Sequence, residues 1–421
     1  MNKLFGTTLK SKLTNKNILY VHYGDELIRG SEIVLLDLLA TAMKQDYVPF
    51  LWCNSSKLAN EAEKIGVTVI CEPFVCLGYW FSPRWQFRRF CRLVISAKKL
   101  INRFNIGIVH CNNGAPCQWL TLACKWLKIP LLLHLHARYQ QFDRLILLFA
   151  GADKVVGVSQ SVIDVFNPNE FHASQLSTIY NGIDKSRAIT HRAVDLRQLV
   201  NAHEQDRVLL YVGSLISRKS LSTVFCAIAQ LPNPSLVKLA IVGDGVEKPS
   251  LIALCQRLGL EKSVYFLGEQ DNVAAFYSSN ADCFVSTPTE EVFGLTLAEA
   301  SLAKLPVITT DIAGVNEIYT NGIHARLVAA NDVIGLLFAI KELLRVPLRF
   351  QQFASAAQQH IASEFTCQKQ FEQFDRAYQE LQLNKSTPSL YQFVAKQCSV
   401  GLSATYANMS NKSQKRVMLT R

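Results

Sequence analysis

The chain has 421 residues, of which 49% are hydrophobic and 18% charged. That is enough for two or three domains with large cores and too apolar for general disorder. It holds no run of 18 apolar residues, its opening MNKLFGTTLKSKLTNKN lacks an apolar signal core, and its 12 cysteines form no C-x2-C pair. These features argue against a membrane-spanning helix, a secretory leader, a zinc ribbon and a disulfide framework. Buried thiols in a reducing cytosol are the expectation.

The net charge of +11 is local. Residues 73–142 contain no Asp or Glu and sum to +10; residues 385–421 likewise sum to +6, leaving the remainder acidic at −5. A local anionic partner follows, with nucleic acid and an anionic lipid surface as candidates.

In chain order, NILYVHY reads as a buried strand and RGSEIVLLDLLATAMK as a helix entered through Gly30. YVPFLWC, a helix near 55–65 and VTVIC follow. Residues 83–104 predict an amphipathic basic helix. Arg84, Arg88, Arg92, Lys99 and Arg103 lie on one face, and Phe90, Leu93, Val94, Ala97, Leu100, Ile101 and Phe104 on the other. Tyr79, Trp80, Phe81 and Trp85 stand before or on it, where interfacial anchors sit. IGIVHC, PCQWLTLACKWL, PLLLHLH, DKVVGVS and LSTIYNGID close the first half.

Polar residues 187–205 read as an interdomain stretch. RVLLYVG, VKLAIVG, SVYFLG, ADCFVST, PVITT and HARLV then repeat the alternation. Strand–helix alternation predicts parallel sheets covered on both faces. The expected class is α/β: two doubly wound, Rossmann-like domains, 1–186 and 187–365, facing a cleft and binding ligands at the carboxyl ends of their strands. Residues 366–384 are expected to form a helix packing back on the N-terminal domain, and 385–421 a basic, poorly ordered tail.

Ser286-Thr-Pro-Thr-Glu-Glu-Val-Phe-Gly-Leu-Thr-Leu-Ala-Glu-Ala300 carries the most chemistry. Gly294 opens a helix whose first-turn amides, around Phe293, Gly294, Leu295 and Thr296, can hold an anion such as a diphosphate. Glu291 precedes the helix and Glu299 lies in its second turn, so carboxylates flank the anion site on two sides. Ribose, diphosphate and sugar in a nucleotide-sugar have that layout. After the strand RVLLYV, Gly213-Ser-Leu-Ile-Ser-Arg-Lys219 places Lys219, with Arg218 as second candidate, to neutralise a phosphate. Gly243 and Gly245 in Val242-Gly-Asp-Gly245 permit close backbone approach.

Taken together, these motifs resemble glycosyltransferase family 4, the retaining enzymes of the GT-B fold, across most of residues 17–383. The strongest match is Glu291-VFGLTLA-Glu299. Gly30-Ser31-Glu32, Ile179-Tyr-Asn-Gly-Ile-Asp184, Pro306-Val-Ile308 and Gly314-Val-Asn-Glu317 recur in the family's order. The resemblance implies an N-terminal acceptor domain and a C-terminal nucleotide-sugar domain. It implies that Glu291 contacts the sugar, Glu299 the ribose and Lys219 the diphosphate. Gly30 and Ser31 belong to the glycine-rich donor loop. A histidine after a first-domain strand faces the transferred sugar, with His136 favoured over His134. Three positions depart from the family pattern: Ser214 where arginine is usual, and Ser220 and Lys304 where glycine is usual. One diphosphate cation is therefore missing unless Arg218 replaces it.

The expected reaction is front-side, retaining transfer from a nucleotide-sugar to a saccharide or lipid-linked saccharide, in cell-surface polysaccharide assembly. Neither a catalytic metal nor a cofactor is expected, since no D-x-D motif stands in a suitable place. A cytoplasmic chain, peripheral at the membrane through the basic helix, is expected. No nucleic-acid-reading motif accompanies the charge. A nucleotide-sugar epimerase of the same fold and a non-catalytic nucleotide-sugar-binding relative are the alternatives.

Overall fold

The computed structural model describes residues 15–78 and 85–383. The expectations placed on Tyr79, Trp80, Phe81, Arg84 and residues 385–421 lie outside the described residues. The chain divides into two compact units. Among the described residues, the first takes those up to Val158, then Val162–Ile179 and those from Gln370; the second takes Ser159–Ser161 and Tyr180–Lys369.

In the first unit the strands are β1 (Asn17–His22), β2 (Val48–Cys53), β3 (Thr68–Cys71), β4 (Ile108–Asn112), β5 (Leu131–Leu135), β6 (Lys154–Gly157) and β7 (Leu176–Thr178). They form a sheet of order β3-β2-β1-β4-β5-β6-β7 in which every pairing is parallel. Apolar runs such as LLLHL are buried along their whole length, as a sheet covered on both faces requires. The order in which strands are added reverses between β1 and β4, and that switch opens a crevice at the strands' carboxyl ends. The last described helix, Cys367–Leu383, lays Phe371, Phe374, Tyr378 and Leu381 into the same core as Ile18, Tyr20 and Leu51.

In the second unit β8 (Arg207–Val212), β9 (Val237–Val242), β10 (Val264–Gly268), β11 (Cys283–Ser286), β12 (Val307–Thr310) and β13 (Arg326–Val328) form a parallel sheet of order β10-β9-β8-β11-β12-β13. Its reversal falls between β8 and β11. Residues 187–205, read from sequence as a stretch between domains, are anchored within this unit. Val194 N–H donates to the Ala275 carbonyl at 3.1 Å, and Arg197 reaches Asp282 at 3.0 Å. Beyond Ser159–Ser161 this unit takes in the chain from Tyr180, so residues 187–205 lie inside it. Both units are α/β with an all-parallel sheet.

Among the described residues the basic helix spans Phe87–Arg103. Phe90, Leu93, Ala97, Leu100 and Ile101 are buried, while Arg88, Arg89, Arg92, Lys99 and Arg103 are exposed. Lys98 caps the exposed Trp126 ring from 3.2 Å, and exposed Trp85 and Phe87 stack at 5.7 Å. No described helix is long and apolar enough to cross a membrane.

Candidate active site

In the second unit, the loops after β8, β9 and β11 carry the sequence-predicted residues. The loops after β8 and β9 pack backbone to backbone. A Cβ on Gly243 would sit 2.1 Å from the Gly213 carbonyl oxygen, and one on Gly245 would sit 2.4 Å from that of Leu215. Leu215 N–H donates to the Asp244 carbonyl at 2.9 Å. Glycine is required for this contact, which fixes the path of Gly213 to Lys219.

That loop then meets the one after β11. Thr289 N–H donates to the Arg218 carbonyl at 2.8 Å. Lys219 Nζ lies 2.5 Å from Glu291 Oε2, and Arg218 Nη1 lies 3.8 Å from the same oxygen while donating to the Glu290 carbonyl at 3.2 Å. The Lys219 and Glu291 side chains are 14% and 12% exposed. Burial pushes the Glu291 carboxyl up, but the Lys219 charge and hydrogen bond outweigh it, with help from Arg218 and Val292 N–H, and hold it below its usual range.

Gly294, in the left-handed region at φ +83°, caps the helix Leu295–Leu302, and no side chain caps it. The helix thus directs its first-turn amides, at Leu295 and Thr296, toward the end of the sheet. Phe293 is buried against Phe365. Glu299 is buried and accepts from Tyr277 Oη–H at 2.9 Å; burial and that carboxylate raise the Tyr277 phenol well above its usual value.

In the first unit His22, His110, His134 and His136 lie on or just past β1, β4 and β5. His134 is fully buried, with Nδ1 3.2 Å from His110 Nε2, and His110 Nδ1 is 2.7 Å from the Tyr378 hydroxyl. His136, just past β5, is only half-buried and its Nε2 bonds Asn112 Oδ1 at 2.9 Å. Accessibility therefore distinguishes His136 from His134. Burial first, then the neighbouring imidazoles of His134 and His22, hold the His136 ring well below its usual pKa, against a smaller upward pull from Glu32. Gly30 and Ser31 open the helix Gly30–Lys44, and Ser31 Oγ donates to Glu32 Oε2 at 3.1 Å.

Family models described as "Glycosyltransferase Family 4" and "Glycosyl transferases group 1" match residues 28–187 and 195–360, one for each unit. The chain belongs to the group 1, family 4 glycosyltransferases.

N-acetyl-alpha-D-glucosaminyl L-malate synthase of Bacillus anthracis is 27% identical over 234 residues, 55% of this chain and 60% of that protein. The O-antigen biosynthesis glycosyltransferase WclY of Escherichia coli is 29% identical over 171 residues, 41% of this chain and 44% of that one. The chain thus spans about half the length of the curated relatives it matches. Among solved structures, HepE of Anabaena in complex with UDP and glucose superimposes with a TM-score of 0.74 at 21% identity, covering 87% of this chain and 100% of that one.

Measured against the glycosyltransferase pattern, the departures acquire physical reasons. Ser220 and Lys304 have φ of +47° and +62°, where glycine is the unstrained choice. Ser214 is exposed and carries no charge, whereas Arg218 converges with Lys219 on Glu291. The sequence reading did not single out His22, Asn112 and Tyr277. His22 and Asn112 each end an apolar strand with a polar residue, the one signal that pointed to them.

Proposed function

We propose that this protein moves a sugar, with retention, from a nucleotide-sugar to a saccharide or lipid-linked saccharide, in the assembly of cell-surface polysaccharide. The observation that carries this reading is the convergence of Lys219, Arg218 and Glu291 beside the Gly294-capped helix that also bears Glu299. Cations and helix amides suit a leaving diphosphate, whose charge grows as the glycosidic bond breaks. Glu291 and Glu299, separated along the chain by the diphosphate-binding turn, suit hydroxyls of sugar and ribose. His136 suits a hydroxyl of the transferred sugar as a neutral hydrogen-bonding partner. The complex of HepE with UDP and glucose supports a nucleotide-sugar donor, and the likeness to WclY supports a saccharide acceptor.

So read, the reaction needs no resident cofactor: the cations and amides answer the diphosphate charge, and the departing diphosphate itself receives the acceptor proton. The exposed basic face of Phe87–Arg103, with Trp85, Phe87 and Trp126 beside it, suits a peripheral position on an anionic membrane where a lipid-linked acceptor is presented.

The test is turnover of a panel of nucleotide-sugars with and without lipid-linked saccharide. Release of nucleoside diphosphate that depends on acceptor, with the anomeric configuration kept in the product, supports transfer. Interconversion of donor sugars without acceptor would make the protein an epimerase, and binding without turnover a non-catalytic relative.

A further inference from the structure

Four polar side chains are strung together at the carboxyl end of the first unit's sheet, where the strand order turns from β1 to β4. His22 ends β1 and Asn112 ends β4, directly opposite it in register. Glu32 lies in the first turn of the helix after β1, and His136 just follows β5. Glu32, His22 and Asn112 are buried. Gly24 leaves room for the first pair: a Cβ there would lie 2.9 Å from His22 Nε2 and 3.0 Å from Glu32 Oε1.

With His22 neutral, the directions of these bonds follow one from another. A carboxylate only accepts, so His22 Nε2–H donates to Glu32 Oε1 at 2.8 Å. The other carboxylate oxygen is engaged by Arg29 N–H at 3.0 Å and Ser31 Oγ–H at 3.1 Å. Asn112 turns its Nδ2 toward His22 Nδ1 at 2.9 Å, with the Ser31 carbonyl 3.5 Å away on the same side. His22 Nδ1 also lies 3.0 Å from the Asn112 carbonyl. A neutral imidazole carries one proton, and Glu32 holds it on Nε2, so Nδ1 accepts from Asn112 Nδ2–H; an imidazolium would instead donate Nδ1–H to the Asn112 carbonyl, turn the amide over and reverse the outcome at His136. Asn112 Oδ1 is then committed to the opposite side, 2.9 Å from His136 Nε2.

We propose that Glu32, His22 and Asn112 are positioning residues that fix the tautomer of His136, placing its proton on Nε2 and leaving Nδ1 as the ring's acceptor. Which nitrogen of a histidine is protonated is set by the bond its other neighbours demand. Here a carboxylate three residues away in the chain of bonds makes that demand. An acceptor nitrogen suits a sugar hydroxyl as donor, and a ring of the other tautomer would meet that hydroxyl as a competing donor. The catalytic meaning rests on the placement of His136 beside the transferred sugar proposed above; the tautomer itself does not.

The test is 15N NMR of the full chain labelled at its nine histidines, with His136 assigned by the signals that His136→Gln removes. The expected wild-type spectrum shows His136 Nε2 in the protonated range and Nδ1 in the unprotonated range. Asn112→Ala removes the acceptor, so both signals move toward the averaged values of mixed tautomers. Asn112→Asp restores an acceptor and keeps Nε2–H. In turnover, Asn112→Ala lowers kcat on the order of tenfold with KM for donor nearly unchanged, and Asn112→Asp recovers part of the loss. A wild-type proton on Nδ1, or His136 signals unmoved in Asn112→Ala, overturns the proposal. Absence of turnover with any donor would count against the proposed function, while the NMR result still decides the tautomer.

Discussion

Lys219 Nζ and Glu291 Oε2 lie 2.5 Å apart, and this pair ties the loop after β8 to the loop after β11 across the reversal point of the second sheet. The two residues are 72 positions apart in the chain. Their contact joins the cation proposed for the diphosphate to the carboxylate proposed for the sugar, and the Lys219 charge helps to keep Glu291 ionised.

Glu291→Gln keeps the volume of the side chain and loses its charge. The expected outcome is an intact fold and a loss of transfer on the order of 100-fold or more, because the carboxylate is proposed to act at the reacting sugar. Steady-state turnover together with a thermal melt checks this. Near-wild-type turnover would remove Glu291 from the mechanism.

Lys304 supplies a stability test away from the chemistry. Its backbone holds φ +62°, with its N–H donating to the Ser301 carbonyl at 2.9 Å. Lys304→Gly relieves about 1–2 kcal/mol of left-handed strain and gives back part of it through a more flexible unfolded chain, so a net gain of about 0.5–1 kcal/mol is expected. Denaturant unfolding followed by circular dichroism measures it, and a destabilised variant would contradict the assignment.

The parallel sheets were legible because each buried strand is an apolar run closed by glycine or a polar residue, as in RVLLYVG and VKLAIVG. Glu291 and Glu299 were legible because one short turn and one helix carry both. The pairing of His22 with Asn112 was not. It depends on β1 lying beside β4, strands that begin 91 residues apart (Asn17 and Ile108) and are adjacent only through the sheet's reversal. The place of residues 187–205 inside the second unit was hidden for a related reason: they are polar in sequence, yet their polar groups are spent on Asp282, Asn280 and Ala275 of that unit.

The first unit should lose stability in mild acid. Burial above all holds the His110 ring down to about 3 and those of His134 and His136 well below the ordinary 6.5. The unfolded chain therefore binds protons that the folded one refuses, and stability falls as pH drops below 6.5, by up to about 1.4 kcal/mol per pH unit for each ring. Burial acts to raise Glu32, but the hydrogen bonds from His22 and the Arg29 N–H bring it down to about 2, below its ordinary 4.5. That contribution is present above pH 4.5 and is lost as pH falls toward 2. All five tryptophans precede Val158, so their fluorescence reports the first unit alone. The urea midpoint so measured should fall from pH 7 to 5, and less steeply in His134→Gln. A flat midpoint in the wild type would contradict the neutral, buried rings of His110 and His134.

The basic helix should bind anionic vesicles reversibly. Each cation near such a surface contributes about 1 kcal/mol and is screened within a Debye length. Arg88, Arg89 and Arg92 are exposed on one helix with no acid between them. Changing all three to Gln in the full chain should weaken co-sedimentation and flatten its salt dependence. Equal binding of both forms would show that this face is merely solvated.

Calorimetric titration of UDP into wild type and Lys219→Ala bears most directly on the donor site. A single cation on a diphosphate contributes roughly 1.5–3 kcal/mol, so the variant should bind about 10- to 150-fold more weakly. Removing Lys219 also leaves burial of Glu291 opposed only by Arg218 and Val292 N–H, so binding by the variant should gain a pH dependence that the wild type lacks. Saturable binding by the wild type with that loss in the variant is the expected result. Equal affinity of the two proteins, or no binding of any nucleoside diphosphate by the wild type, would contradict a donor site built on Lys219 and Glu291.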